Sequence, residues 1–221
     1  MALRRIVYEN DPFLRKQSRE VKEITGRIRE LVDDMWETMY ESKGVGLAAP
    51  QVGVLRRVAV IDVTPPPEPK EDEDAGNEGS TAEGGDNTAG DDNTADDDNA
   101  VGDDNTADAG NAADAETLEP KIYKYVLINP EIVETSSETV SEKEGCLSVP
   151  GRVGIVGRPA YVKVRAIDIE GNPFEVEGEG MLARALFHEM DHLNGIVFTD
   201  IAESVETITP DEPEDEAAQD E

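Results

Sequence analysis

The five residues His188-Glu189-Met190-Asp191-His192 decide how this chain is read. On a helix, residues four apart share a face, so His188 and His192 aim two imidazoles at one point while Glu189 stands beside them. Two neutral nitrogen donors suit a metal ion, and the neighbouring carboxylate can take a proton from a water the ion activates. The spacing carries weight because these are the only two histidines in the chain, and Cys146 is its only cysteine. The supply of soft and borderline metal ligands is therefore three side chains.

Working outward, the helix should begin near Glu179, carry Met181, Leu182, Ala185, Leu186 and Leu193 on its apolar side, and end at Gly195. Upstream lies Glu144-Gly145-Cys146-Leu147-Ser148-Val149-Pro150. A lone cysteine is ordinarily a small buried hydrophobe. Here two histidines at ligand spacing lack a third protein ligand, and a Cys146 thiolate would give Cys-His-His with an open fourth position. Strands are expected at about 152–156, 161–169 and 174–177, with Glu170-Gly171-Asn172 as a hairpin turn.

Toward the N-terminus, Asp11-Pro12 starts a short turn or helix through Arg15. Apolar residues at Ile28, Leu31, Val32, Met35, Trp36 and Met39 form one stripe, which predicts a core-packing helix over 25–42. Gly44-Val45-Gly46-Leu47-Ala48-Ala49-Pro50-Gln51 reads as an irregular connection whose backbone something approaches closely. Gln51 is a candidate within it, because a carboxamide NH2 can donate to a developing oxyanion. Residues 57–63 and 123–130 read as strands rich in β-branched and aromatic side chains.

Between those two strands the composition changes. Of the formal charge of −31, residues 65–120 carry −18 and residues 203–221 carry −9, leaving −4 for the remainder. Asp-Asn-Thr-Ala repeats with few large apolar side chains cannot bury enough surface to fold, so 65–120 is expected to be a disordered acidic insertion. The repeats do not place ligands as an EF-hand loop requires, which argues against specific calcium binding. The insertion interrupts one catalytic domain, 1–64 and 121–202, at a closure cost of about 2.5 kcal/mol. Residues 203–221 read as a disordered acidic tail. No basic footprint indicates nucleic-acid binding, and no apolar run is long enough for a membrane span. The chain reads as soluble and cytoplasmic.

Three separated motifs, Gly44-Val45-Gly46-Leu47-Ala48-Ala49-Pro50-Gln51, Glu144-Gly145-Cys146-Leu147-Ser148 and His188-Glu189-Met190-Asp191-His192, resemble in order and content the signature of the peptide deformylases, GxGLAAxQ, EGCLS and HExDH. All fixed positions match, and residues 11–15, 127–130 and 193–195 look like the family too. The resemblance implies an α+β fold, a single domain of mostly antiparallel strands packed around a C-terminal metal-binding helix. It implies removal of the formyl group from the N-terminal formylmethionine of newly made proteins. Carried over by position, Cys146, His188 and His192 would hold the metal, with Glu189 as general base and then acid. Gln51 and the backbone N–H of Leu147 would donate to the oxyanion. Gly46 would pair with the substrate main chain, and Val45 would line the methionine pocket. The resemblance further implies one divalent ion, Fe2+ in the cell with Zn2+, Ni2+ or Co2+ as substitutes. Its implied partners are N-formylmethionyl nascent chains, and with them the ribosome. Another metal-dependent amidase or peptidase on the same scaffold is the alternative.

Overall fold

Strand β2 (Val58–Asp62) shows why the chain folds around a doubly covered sheet. Val58, Ala59, Val60 and Ile61 are all fully buried. Alternation sends Ala59 and Ile61 into one apolar cluster and Val58 and Val60 into another. A strand covered on both faces reads as a continuous apolar run, as this one does.

The computed structural model describes residues 2–65 and 122–208. Residues 66–120 of the acidic insertion and the end of the acidic tail, both expected to be disordered, lie outside the described residues. Within them, β1 (Gly46–Ala48), β2, β3 (Lys124–Thr135), β6 (Tyr161–Ile167) and β7 (Pro173–Glu179) form an antiparallel sheet in the order β1-β2-β3-β6-β7. The helices α1 (Gly26–Glu41) and α2 (Gly180–Leu193) contribute to the clusters on opposite faces. A second sheet is built from β4 (Thr139–Cys146), β5 (Val149–Pro159) and β8 (Ser204–Thr207), in the order β4-β5-β8. The fold is α+β, mostly antiparallel strands with two helices. No described helix is long and apolar enough to cross a membrane.

Three sequence expectations are corrected. Gly44–Gln51 is not wholly irregular: Gly46–Ala48 pairs with β2, and Ala49–Val52 is a 3-10 turn, because β2 offers an edge to small residues that fit under α2. The tail does not begin at 203. Ser204–Thr207 adds to β5 as an edge strand, which needs only backbone pairing and tolerates its exposed Glu206. Met181 does not pack on the apolar side of α2 and is 61% exposed. It lies one turn before Ala185 and two before His188, on the row facing a pocket rather than the sheet.

The long β3 bends at Asn129, a non-glycine residue with φ of 51°, where the register with β6 shifts. Asparagine tolerates that backbone, and its amide accepts from Val21 N and donates to Val21 O, each at 2.8 Å. The N-terminal segment then straps the motif-bearing elements together. Val7 N donates to Gln51 O at 2.8 Å, Glu9 N to Ser148 O at 2.9 Å, and Ser18 N to Leu193 O at 2.9 Å.

Candidate active site

α2 carries two of the candidate ligands and ends in a way its sequence dictates. Gly195, at φ of 79°, follows the last turn, with Ile196 N bonded to Asp191 O and Gly195 N to His192 O. This paired bonding satisfies the terminal carbonyls and requires the left-handed conformation that glycine adopts without strain. A Cβ at Gly195 would also strike the Arg15 carbonyl, 2.6 Å away.

The structure brings the three expected ligands together. Cys146 Sγ and the ring nitrogens of His188 and His192 all lie within 4.8 Å of one another. Cys146 Sγ is 3.2 Å from His192 Nε2. His188 Nδ1 is 3.0 Å from Glu144 Oε2, which leaves Nε2 free to face an ion. Burial works against a protonated His188, but Cys146, Glu144 and Glu189 outweigh it and raise its pKa well above the usual value. Burial, then His188, Arg15 and Arg158, push His192 well below it. A thiol, two imidazoles and surrounding carboxylates suit a divalent cation, so the residues present fit the metal that the resemblance implies.

Glu144 is the hub of the supporting charges. Arg158 donates to both of its oxygens, at 2.8 and 3.0 Å, and to Asp191 Oδ2 at 2.6 Å. Burial alone would raise the Glu144 pKa, yet His188 and Arg158 bring it down to about 2. The carboxylate therefore stays ionised and holds the Nδ1–H of His188.

Glu189 lines the pocket beside the candidate ligands and is 3% exposed. Its Oε2 has no hydrogen-bond partner among the described residues. Burial pushes its pKa up to about 7, with His188 opposing and Glu144 and Asp191 adding. A buried acceptor left unsatisfied costs roughly 1–3 kcal/mol, a cost retained where the group does chemistry. The close approach expected near Gly46 is made by this residue: a Cβ on Gly46 would lie 2.9 Å from Glu189 Cδ.

Gln51 is fully buried and its amide orientation is fixed. Oε1 accepts from Ala48 N at 2.8 Å, so Nε2 points toward Ser148 Oγ at 3.1 Å and Cys146 Sγ at 3.4 Å. Leu147, Val45, Gly46, Met181 and Ala185 line the same cavity of about 390 Å³, open on the Val45 side, where that residue is 50% exposed. Every site residue expected from the sequence therefore borders one pocket or its ligand cluster. Sequence reasoning missed the hub role of Glu144 and the buried Arg158 and Arg184. An arginine within the otherwise apolar run Met181-Leu182-Ala183-Arg184-Ala185-Leu186-Phe187 was the available signal.

Three convergent thiol and imidazole donors, an open pocket and a buried carboxylate oxygen with no partner among the described residues have the make-up of a metal-dependent hydrolase site. The chain belongs to the polypeptide deformylase family, whose model matches residues 3–207. It is 41% identical to a peptide deformylase of Lachnoclostridium phytofermentans over 218 residues, covering 98% of this chain and all of that protein. It is 43% identical to one from Alkaliphilus metalliredigens over 201 residues, 90% of this chain and 97% of that one. Among solved structures, the Ehrlichia chaffeensis peptide deformylase in complex with actinonin is similar with a TM-score of 0.64 at 36% identity, covering 90% of this chain and 88% of the other. A Met-Ala-Ser-bound peptide deformylase from Acinetobacter baumannii gives a TM-score of 0.63 at 28% identity, over 90% and 98% of the two chains.

Proposed function

We propose that this chain hydrolyses the N-formyl group from the N-terminal formylmethionine of newly synthesised proteins, releasing formate. The observation that carries the reading is the buried Glu189 carboxylate beside the Cys146-His188-His192 cluster, its Oε2 without a partner among the described residues, within a chain of the deformylase family. Those three residues hold one divalent ion, ferrous iron in the cell, which zinc, nickel or cobalt can replace. When bound, the ion supplies Lewis acidity toward the formyl oxygen and toward a water. Glu189 Oε2 accepts that water's proton as its oxygen attacks the formyl carbon, and later delivers it to the departing amine nitrogen. Gln51 Nε2–H and the Leu147 backbone N–H donate to the oxyanion. Gly46, on the edge strand β1, pairs with the substrate main chain, while Val45, Leu147, Met181 and Ala185 enclose the methionine side chain.

The Met-Ala-Ser complex of the Acinetobacter baumannii relative supports a peptide in this pocket. Its substrates, nascent chains, imply a cytoplasmic enzyme that meets the ribosome. The catalytic domain comprises 1–64 and 121–202 with strand β8 appended, and the acidic insertion is accessory to it. The test is formate release from N-formyl-Met-Ala-Ser by full-length protein loaded without air with iron, nickel or zinc. Formate from the formyl peptide, with Met-Ala-Ser itself left uncut, is expected. Cleavage of peptide bonds instead would assign the scaffold to another metal-dependent amidase or peptidase.

A further inference from the structure

Arg184 is buried where the reaction above makes no use of it. It sits in the middle of α2, yet is only 6% exposed. Its contacts run away from its own helix. Nη2 donates to Val140 O at 3.0 Å, Nη1 to Val156 O at 2.9 Å and to Glu144 Oε1 at 2.8 Å, and Nε to Glu142 Oε2 at 3.1 Å. Val140, Glu142 and Glu144 belong to β4 and Val156 to β5, the hairpin whose first strand ends in Cys146. The histidine helix packs on the five-stranded sheet, whereas the cysteine hairpin belongs to the other sheet. One side chain thus joins the two elements that must converge on an ion, one turn before His188.

We propose that Arg184 is a positioning residue for the metal: it fixes the Cys146 hairpin against the His188-His192 helix, and through Glu144 it fixes the ring of His188. The inference rests on the metal-site reading but not on deformylation. Arg158, on β5, grips Glu144 from within the hairpin and reaches the helix only at Asp191, past His188, so Arg184 adds a second tie, made from the helix one turn before His188 to both strands of the hairpin. With guanidinium donors from two elements on Glu144, the carboxylate is held where it meets His188 Nδ1. The anchor matters because His192 Nδ1 has no partner among the described residues, so His188 is the ligand whose orientation can be fixed from behind. A planar fork reaches two backbone carbonyls and a carboxylate together, whereas a lysine offers one point donor.

The test uses full-length protein loaded with Co2+, whose thiolate absorption reports the site, transferred into excess chelator. Arg184→Met keeps the aliphatic bulk and removes every donor. It is expected to weaken cobalt retention about 10–100-fold and to alter the cobalt-thiolate band, because a lost supporting contact typically costs that much metal affinity. Arg184→Lys is expected to fall between it and the parent. Glu142→Gln, which removes only a half-exposed partner of Arg184, should retain cobalt like the parent. Parental retention and spectrum in Arg184→Met, or weakening in Glu142→Gln equal to that of Arg184→Met, would overturn the proposal. If Arg184→Met does not fold, Arg184→Lys decides, with parental retention again overturning it. Absence of formate release would sink the functional reading and leave this measurement standing.

Discussion

The helices α1 and α2 cover opposite faces of one sheet with different kinds of side chain. α1 buries Ile28, Leu31, Val32, Met35 and Met39, and its two buried polar residues are satisfied. Asp34 accepts from Ala2 N at 2.7 Å and Arg4 Nε at 3.0 Å, and Thr38 Oγ1 accepts from Arg4 N at 2.9 Å. α2 buries Arg184, Glu189 and His192 among its apolar residues, and the last two each keep a polar atom with no partner among the described residues. The difference separates roles. Among the described residues α1 has one unpartnered buried atom of its own, Glu37 Oε2, remote from the ligand cluster, whereas those of α2 belong to a member and a neighbour of that cluster; position, not the missing partner alone, separates packing from chemistry.

Substitutions on the two sides should therefore fail in different ways. On the site side, Gln51→Ala removes the proposed oxyanion donor and should lower kcat for formate release about 10²–10³-fold. Its unfolding midpoint should move little by comparison; an unchanged kcat would remove Gln51 from the mechanism. On the α1 side, Met35→Ala deletes a fully buried side chain and should cost about 2–5 kcal/mol in denaturant unfolding. Turnover per folded molecule should stay at the parental value, and a matching loss of kcat would blur the division between the helices.

The smallest effect is expected from Asp34→Asn. Burial opposes the Asp34 carboxylate, but the Ala2 N–H and the Arg4 guanidinium outweigh it and hold its pKa below the usual carboxylate value. A carboxyl with a depressed folded pKa stabilises the fold above its unfolded value, near pH 4, and loses that contribution as pH falls through the folded value. The parent should be the more stable protein at pH 7, and the gap to Asp34→Asn should close on acidification. A gap that widened toward acid would reverse the assignment.

The site was more legible in the sequence than its supports. Cys146, His188, His192, Glu189 and Gln51 are chemically distinctive residues at constrained spacings, so local pattern was enough to bring them forward. Arg184 and Arg158 were not visible because arginine in a helix or on a strand ordinarily faces solvent, and only the meeting of two sheets buries them. The run at β2 was legible as a strand, though not its cover on both faces. The edge strand β8 and the short β1 depend on backbone pairing with distant partners, which leaves little trace in side-chain pattern. Met181 was misplaced because apolar character alone does not distinguish the row of α2 facing the sheet from the row facing the pocket.

Glu189→Ala, with metal content, unfolding midpoint and formate release measured on one preparation, tests the central claim most directly. The account predicts retained metal, a midpoint at or above the parental value because a buried unsatisfied carboxylate is gone, and turnover reduced about 10²–10⁴-fold. Turnover near the parental rate, or loss of the metal along with activity, would contradict it.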